Sequence, residues 1–139
     1  MTATHDELRA AAESARQMNW SPYSKFVVLA AVETVDGRVY GGSNVENVNF
    51  SLSKHAEENA IVAALADGAL VRGGRQWLKT IYVQSSADSG PCGGCRQFIN
   101  EFAADDAVWV KHDTSTGEIA SRPFRDLLPF DFGPRHLGI

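Results

Sequence analysis

The order of apolar and polar positions along the first forty residues predicts a helix followed by two strands. Residues Asp6–Met18 are rich in Ala, Glu and Arg, which favour a helix, and Ser21–Ser24 contains a proline that ends it. An apolar, β-prone run at Phe26–Val35 predicts a strand. Asp36–Gly37 is typical of a hairpin turn, so Arg38–Tyr40 is expected to begin the return strand.

Predicted helices and strands continue to alternate along the rest of the chain. A polar, irregular stretch at Asn44–Lys54 precedes the next helix, and Ser53 is its expected N-cap. The further predicted elements are helix His55–Ala66, strand Lys79–Ser85, loop Ser86–Gly90, helix Cys92–Ala103, strand Ala107–Lys111, a turn at Thr116–Gly117, a short helix at Pro123–Leu128 and an irregular tail at Pro129–Ile139. This order predicts an α/β fold in which helices cover both faces of a mixed sheet. We find no internal repeat or linker, so residues 1–139 are expected to form a single domain.

The overall charge of the chain favours some classes of binding partner over others. The formal net charge is −4, and the 13 Lys and Arg residues are scattered without a cluster. Proteins that hold nucleic acid usually carry a basic patch, so we expect no nucleic acid and a small, uncharged ligand instead. No apolar run approaches the roughly 18 residues of a membrane span, and Met1–Arg9 lacks the apolar segment of a secretory signal. We therefore expect a cytoplasmic protein with no membrane partner.

The two cysteines of the chain, Cys92 and Cys95, have the spacing of a metal site or of a redox pair. His55 opens one predicted helix, and the cysteines, which follow Pro91, open another. Two helix N-termini brought together would present one imidazole and two thiolates to a single ion, and the helix dipole favours the thiolate form. This set suits Zn²⁺, and three protein ligands leave the fourth tetrahedral position open, as in catalytic sites.

Glu57 lies two residues beyond His55, where a carboxylate can take a proton from an activated water and pass it to a substrate. The blander interpretations are a redox dithiol for the cysteines and a solvated helix charge for Glu57, like its neighbour Glu58. His112 and His136 are possible fourth ligands of a closed zinc site, but their spacing favours neither, and both are expected at the surface. The combination of motifs in this order favours the zinc site.

The two motifs, H-x-E and P-C-x-x-C, are together the signature of zinc-dependent nucleobase deaminases. Over nearly its whole length the chain resembles the small, single-domain cytidine deaminases. The matching segments are Pro22–Phe26, Asp36–Arg38, Asn44–Asn47, His55–Glu57, Pro91–Gln97, Leu127–Pro129 and Phe132–Pro134. The resemblance implies a three-layer α/β/α sandwich around a mixed five-stranded sheet. It also implies hydrolytic deamination of cytidine and deoxycytidine to uridine and deoxyuridine, with release of ammonia, in pyrimidine salvage.

The resemblance implies a role for each matching residue at the metal. His55, Cys92 and Cys95 match the ligands of one Zn²⁺. Glu57 matches the residue that carries a proton from water to N3 of cytosine and then helps to protonate the leaving amine.

The residues that the resemblance assigns to the substrate are spread over the chain. Asn44 and Glu46 match the pair that hydrogen-bonds the ribose hydroxyls, and Phe26 matches an aromatic beside the nucleoside. The N–H of Ala56 is expected to contact the base. Phe132 matches a C-terminal aromatic that reaches a neighbouring subunit's site in homotetrameric members, which makes a homotetramer the expected assembly.

The chain departs from the family's usual pattern at three places. Small members more often carry Cys-Ala-Glu-Arg where this chain has His55–Glu58. One neutral imidazole, two thiolates and Zn²⁺ sum to zero charge, so no arginine is needed, and Glu58 is tolerated if it points away from the site. Leu29 stands where the family often has Gly and is expected to crowd the core near the pocket. Phe50 stands where it often has Tyr and lacks the hydroxyl.

Three rival functions remain open at this point. Deaminases of modified cytosine nucleosides such as blasticidin S share the metal motif but lack the full Asn-x-Glu pair, which this chain has at Asn44 and Glu46. A polynucleotide deaminase must capture a base from a strand, which the acidic balance disfavours. A structural zinc module that binds a partner protein requires a closed set of four ligands.

Overall fold

The computed structural model of the chain describes residues 2–139 and contains one five-stranded sheet. The helices are α1 (His5–Ser14), α2 (Ala56–Ala66), α3 (Ala69–Gly73) and α4 (Gly93–Phe102), and the strands are β1 (Leu29–Thr34), β2 (Val39–Ser43), β3 (Leu78–Ser85), β4 (Ala103–Asp113) and β5 (Ile119–Pro123). Short 3-10 segments lie at Ala15–Met18, Phe50–Leu52, Phe124–Leu127 and Pro134–Leu137. In the described part of the chain, no helix has the length and apolar character needed to cross a bilayer.

The strands lie in the order β2-β1-β3-β4-β5, and their directions are mixed. β1 is antiparallel to both β2 and β3, and β4 is antiparallel to β5. β3 and β4 are parallel, and α4 provides the crossover that a parallel pair needs. The register places Val83 beside Lys111, so the carboxyl ends of β3 and β4 meet at one edge of the sheet. The prediction of a mixed five-stranded sheet is confirmed.

Helix α1 covers one face of the sheet. Its start is fixed by a capping box, in which the Thr4 hydroxyl accepts from the N–H of Glu7 at 3.1 Å while the N–H of Thr4 donates to the Glu7 carboxylate at 3.2 Å. The buried cluster on this face consists of Leu8, Ala12, Leu29, Ala31 and Tyr82. Since alternate strand residues point to opposite faces, Ala30 and Val32 belong to the other side.

Helices α2 and α4 cover the opposite face, which holds the larger core. Its main members are Ala30, Val32, Ala56, Ala60, Ile61, Ala64, Trp77, Leu78, Ile81, Val83, Ile99 and Trp109. Helices on both faces of one sheet confirm the predicted three-layer arrangement.

Helix α2 lies very close to β2. A Cβ atom at Gly42 would lie 2.4 Å from the backbone nitrogen of Ala60 and 2.6 Å from the carbonyl oxygen of Ala56. On the helix side, Ala56, Ala60 and Ala64 are fully buried and present only methyl groups. The close contact of small residues therefore fixes the first turn of α2 against the sheet.

Several elements differ from the sequence prediction, among them β4, which spans Ala103–Asp113 and not Ala107–Lys111, and α3, which was not predicted. The sequence does not predict β5, because all of its residues are exposed and an edge strand needs no apolar alternation. β1 begins at Leu29 and not at Phe26, since the N–H of Val28 donates to the Asn44 side chain at 2.9 Å instead of to a neighbouring strand. The N-cap of α2 is His55, not Ser53, and the predicted helix at residues 123–128 is a 3-10 turn over residues 124–127.

The expectation that His112 lies at the surface is wrong. Its ring is buried on the α1 face, where Nδ1 lies 3.0 Å from the hydroxyl of Tyr82, and that hydroxyl donates to Gln84 at 2.6 Å. Burial raises the pKa of Tyr82 to about 12 and lowers the pKa of His112. Both groups are therefore neutral at pH 7, and they belong to the hydrogen-bonded interior of the α1 layer. His136 is exposed, as expected.

The contact between β2 and α2 predicts the effect of Gly42→Ala. The added methyl group has no room beside Ala60 and Ala56, so we expect the free energy of unfolding to fall by about 1–3 kcal/mol, as for other overpacked sites. Denaturant unfolding followed by circular dichroism measures this change. The matched control is Gly93→Ala, where an added Cβ meets no atom within 4 Å. Equal stability of the two variants would contradict the close contact.

Candidate metal centre and active-site cavity

His55, Cys92 and Cys95 come together where α2 and α4 begin. The Nδ1 atom of His55 lies 3.2 Å from the sulfur of Cys95 and 3.3 Å from the sulfur of Cys92. Their three ligand atoms all lie within 4.8 Å of one another. The structure thus brings into one cluster two motifs whose ligands His55 and Cys92 are 37 positions apart in the sequence.

The donor set and its spacing fit a zinc ion. With Zn–N near 2.0–2.1 Å and Zn–S near 2.3 Å, tetrahedral nitrogen and sulfur ligands lie about 3.6 Å apart. Within residues 2–139, His55, Cys92 and Cys95 are the group of three side chains whose ligand atoms lie close enough together to share one metal ion. His112 and His136 form hydrogen bonds elsewhere, to Tyr82 and to the backbone of Gly133. Three protein ligands correspond to an open, catalytic type of zinc site.

The backbone at the start of α2 orients the imidazole. His55 is the N-cap, with an extended backbone (φ −85°, ψ 159°), and its N–H donates to the Glu58 carboxylate at 3.0 Å. Glu58 therefore turns back to the helix terminus, where an acidic side chain is favourable. An acidic residue at position 58 was expected to be tolerated if its side chain points away from the metal site, and Glu58 has this orientation.

The backbone before α4 is held in the same local manner. The sulfur of Cys92 caps the helix by accepting the N–H of Cys95 at 3.4 Å. The Arg96 guanidinium donates to the carbonyl oxygens of Pro91 at 2.8 Å and of Leu127 at 2.7 Å. Arg96 thus ties the cysteine segment to the end of the chain, and the structure gives it no contact with the metal cluster.

A cavity of about 540 Å³ opens at the metal cluster, a size that suits a small organic ligand. The residues that line it include Tyr23, Phe26, Val28, Asn44, Glu46, Phe50, Lys54, His55, Ala56, Glu57, Val83, Ser85, Ser89, Pro91, Cys92 and Lys111. Glu57 is only 6% exposed, and its carboxylate lies against the Cys95 thiol. Glu57 is therefore not a solvated charge on the helix surface.

The two cysteines differ in their surroundings. Burial raises the pKa of the Cys95 thiol, and the negative charge of Glu57 adds to the effect. At Cys95, burial and the charge of Glu57 therefore oppose the effect of the helix dipole, which favours the thiolate. A divalent cation provides the missing positive charge and deprotonates a coordinating thiol.

Asn44 and Glu46 lie in the cavity wall, and their side chains hold the chain segment before β1. The Asn44 oxygen accepts from Val28, and its nitrogen donates to the carbonyl of Phe26, both at 2.9 Å. The Glu46 carboxylate accepts from the N–H groups of Tyr23 and Ser24 at 3.0 and 3.1 Å, and also from the Ser24 hydroxyl. Hydrogen bonds lower the pKa of Glu46, the Ser24 hydroxyl most strongly, so it is ionised at neutral pH.

Three further residues were predicted to contact the substrate. Phe26 and Ala56 both line the cavity, and Ala56 is the first residue of α2, where N–H groups have no acceptor within the helix. Phe132 does not line the cavity of its own chain. Its ring is 61% exposed, packs beside His136, and is tethered because its carbonyl accepts from Gln97 at 2.9 Å.

Two residues that depart from the family pattern, Leu29 and Phe50, lie in different parts of the structure. Leu29 is buried in the core on the α1 face and does not line the cavity at the metal cluster, so any crowding by it affects the core and not the cavity wall. Phe50 lies in the cavity wall, with its ring edge-on to Tyr23 at 5.6 Å.

Sequence analysis missed two polar residues in the cavity. Lys111 and Ser85 lie near the ends of β4 and β3, and each is only 5% exposed. The Lys111 ammonium donates to the Ser85 hydroxyl at 2.5 Å. A lysine that ends an apolar strand segment is usually solvated, and only the sheet register places this one on the face that holds the larger core.

Comparisons with known proteins agree with this geometry. The family model described as "Cytidine and deoxycytidylate deaminase zinc-binding region" matches residues 1–111. The chain is 34% identical over 134 residues to a cytidine deaminase of Sporosarcina psychrophila, covering 95% of this chain and 93% of the relative. This chain belongs to the cytidine and deoxycytidylate deaminase family. A probable cytidine deaminase of Dictyostelium discoideum is 38% identical over 109 residues, covering 76% of this chain and 70% of the relative.

Solved structures of other family members share the fold. The cytidine deaminase of Burkholderia pseudomallei has a TM-score of 0.80 and 36% identity, covering 94% of this chain and 100% of that one. The cytidine deaminase of Mycobacterium tuberculosis has a TM-score of 0.74 and 33% identity, covering 94% and 98%. Zinc is thus the cofactor of this deaminase, as the ligand cluster and the family model both indicate. A redox dithiol does not account for the imidazole nitrogen that lies within 3.3 Å of both sulfur atoms.

The ligand geometry predicts that His55→Ala loses its zinc. We expect the bound zinc to fall from about one ion per chain to a small fraction of that, because two thiolates alone bind the metal weakly. Metal content after gel filtration, measured by atomic emission, tests this. His136→Ala removes an exposed histidine outside the cluster and is the control. Equal zinc content in both variants would overturn the assignment of His55 as a ligand.

Proposed function

We propose that this protein deaminates free cytidine and deoxycytidine to uridine and deoxyuridine. The observation that carries the proposal is the buried Glu57 carboxylate beside the His55, Cys92 and Cys95 cluster, at the base of a cavity that suits a nucleoside. The similar proteins of Sporosarcina and Burkholderia are named cytidine deaminases, which supports the same substrate class here.

Each residue of the centre has a defined task in this reaction. His55, Cys92 and Cys95 would hold the zinc, which when bound would supply a Lewis acid that lowers the pKa of a water molecule toward neutrality. Glu57 takes a proton from the attacking water and delivers it to N3 of the base. The water oxygen forms a bond to C4, and the bond from C4 to the amino nitrogen breaks. Glu57 then transfers the second proton of the water to the amine, which departs as ammonia.

The cavity wall supports binding of a nucleoside. The Asn44 nitrogen and the Glu46 carboxylate retain hydrogen-bonding capacity beyond their internal contacts, and they bind the ribose hydroxyls. Phe26 packs beside the ligand, and the free N–H of Ala56 donates to the base. Because the wall is already hydrogen-bonded into place, little ordering is required when the nucleoside binds.

The rival functions fit the site less well. A structural zinc module requires neither an open metal position nor a buried carboxylate beside it. A polynucleotide substrate is disfavoured by the net charge of −4, and we propose no nucleic-acid or membrane partner. The Asn44 and Glu46 pair favours an ordinary nucleoside over a modified one such as blasticidin S.

We also propose that the protein is a homotetramer. Phe132 is exposed on its own chain, as a side chain that completes a neighbouring subunit's cavity must be. Phe130, Leu137 and Ile139 are further exposed apolar residues of the same C-terminal segment. Burial of this segment between subunits removes apolar surface from water.

The proposed proton transfer predicts the effect of Glu57→Gln. The amide cannot accept the water proton, so we expect kcat for cytidine to fall at least about a hundredfold while zinc remains bound. Turnover to uridine and release of ammonia are measured together with zinc content. The control is Glu101→Gln, an exposed position on α4, which keeps its activity. Substantial activity in the zinc-loaded Glu57→Gln protein would exclude Glu57 as the proton carrier.

The assembly predicts a different effect for Phe132→Ala. If the ring completes a neighbouring cavity, its loss raises KM for cytidine more than it lowers kcat, because contact with the nucleoside is lost and the proton carrier is not. Steady-state kinetics and multi-angle light scattering test both points. A fully active wild-type monomer would contradict the tetramer.

A further inference from the structure

Asn19 lies behind the cavity wall, and the deamination mechanism assigns no role to it. It is half-buried, follows the 3-10 segment Ala15–Met18, and does not line the cavity. Its side-chain nitrogen donates to the side-chain oxygen of Asn44 at 2.7 Å and to the hydroxyl of Ser43 at 2.9 Å. Asn19 therefore contacts a proposed sugar-binding residue directly, from outside the cavity.

The backbone beside Asn19 also supports the sugar-binding pair. The N–H of Trp20 donates to the carbonyl of Asn44 at 3.1 Å, and the carbonyl of Trp20 accepts from the N–H of Glu46 at 2.7 Å. The chain at Asn19 and Trp20 thus runs beside the segment from Asn44 to Glu46. These backbone bonds hold the Asn19 side chain at a constant distance from the Asn44 amide.

The direction of the hydrogen bond between the two amides is unambiguous. The Asn44 oxygen also accepts from the backbone N–H of Val28 at 2.9 Å, which identifies it as the acceptor. If the Asn19 amide were turned over, two oxygen atoms would face each other without a proton between them. The Ser21 hydroxyl donates to the Asn19 oxygen at 2.7 Å and stabilises the observed orientation. Asn19 is therefore the donor and Asn44 the acceptor.

Asn19 holds the Asn44 amide from a second direction. The bonds of Asn44 to the N–H of Val28 and the carbonyl of Phe26, both at 2.9 Å, lead to a segment that lies before β1 and outside the sheet. The bond from Asn19 is independent of that segment. Three contacts in different directions define the plane of an amide, so Asn19 completes the placement of Asn44.

This placement leaves one donor of Asn44 for a ligand. A side-chain amide has two N–H groups, and the carbonyl of Phe26 accepts one of them. Asn44 lines the cavity, while its oxygen is occupied by Val28 and Asn19. We propose that Asn19 is a positioning residue that holds the Asn44 amide as a hydrogen-bond donor to a sugar hydroxyl of the nucleoside. This inference rests on the proposed deaminase function.

The test compares cytidine with 2′,3′-dideoxycytidine, which has the same base and lacks both hydroxyl groups of the ribose ring. From wild type to Asn19→Leu, we expect the ratio of kcat/KM for cytidine over that for dideoxycytidine to fall about three- to tenfold, as for the loss of one neutral hydrogen bond. The change is expected mainly in KM for cytidine, because the chemical step at C4 is not affected. A change of cavity shape alone lowers kcat/KM for both substrates and leaves the ratio unchanged.

Two further variants make the result specific. When Asn44→Ala is already present, Asn19→Leu produces no further fall of the ratio, because the amide that Asn19 positions is gone. Gln76→Leu removes another amide donor, which bonds the side chain of Asp105 at 2.9 Å outside the cavity, and it leaves the ratio at the wild-type value.

Each outcome decides the question. A wild-type ratio near one, an unchanged ratio in Asn19→Leu, or an equal fall with and without Asn44→Ala overturns the role of Asn19, while turnover of cytidine preserves the deaminase function. Zinc-loaded wild type that converts neither nucleoside overturns the proposed function as well. If circular dichroism shows that Asn19→Leu does not fold, Asn19→Ala replaces it. Alanine lacks the same donor, so the same fall of the ratio is expected.

Discussion

The catalytic centre depends on the close contact between helix α2 and strand β2. Gly42 has no side chain, and the backbone of Ala60 takes up the space that a Cβ atom would occupy. The first turn of α2 therefore has a fixed height above the sheet, and His55 and Glu57 project from that turn into the cavity. Because metal ligands need placement within a few tenths of an ångström, small residues at this contact serve the chemistry as much as the stability.

The second half of the centre depends on the parallel pair of β3 and β4. Their carboxyl ends meet at one edge of the sheet and α4 follows β3 in the chain, with the sulfur atoms of Cys95 and Cys92 lying 3.2 and 3.3 Å from Nδ1 of His55. The same arrangement buries Lys111 near Glu57. Burial lowers the pKa of the Lys111 ammonium, and the nearby carboxylates of Asp113 and Glu57 act against this effect, because charges interact more strongly in a site of low polarity than in water.

The sequence predicts those parts of the site that depend on local spacing. The two motifs, the turn at Asp36–Gly37 and the helix starts all reflect residues a few positions apart, and the structure confirms the sheet, the layers and the zinc cluster. Strand β5 was missed because both of its faces are exposed. The direction of Leu29 and the burial of Lys111 depend on the parity and register of strands, which a shift of one residue reverses. No local pattern determines that register.

Asn44 and Glu46 show why a resemblance alone describes this cavity incompletely. Their match to a ribose-binding pair suggests side chains that form no hydrogen bonds until a ligand binds. In the structure, however, they accept hydrogen bonds from Val28, Tyr23 and Ser24. These contacts hold the segment that carries Phe26, so the same two residues build the wall and face the nucleoside. A substitution at either position therefore changes the shape of the cavity together with its hydrogen bonds. The loss of affinity in such a variant therefore combines the changed shape of the cavity with the lost hydrogen bonds to the ligand. A change at Ser24 disturbs the wall without removing the Glu46 carboxylate, so comparison with that variant separates the two effects.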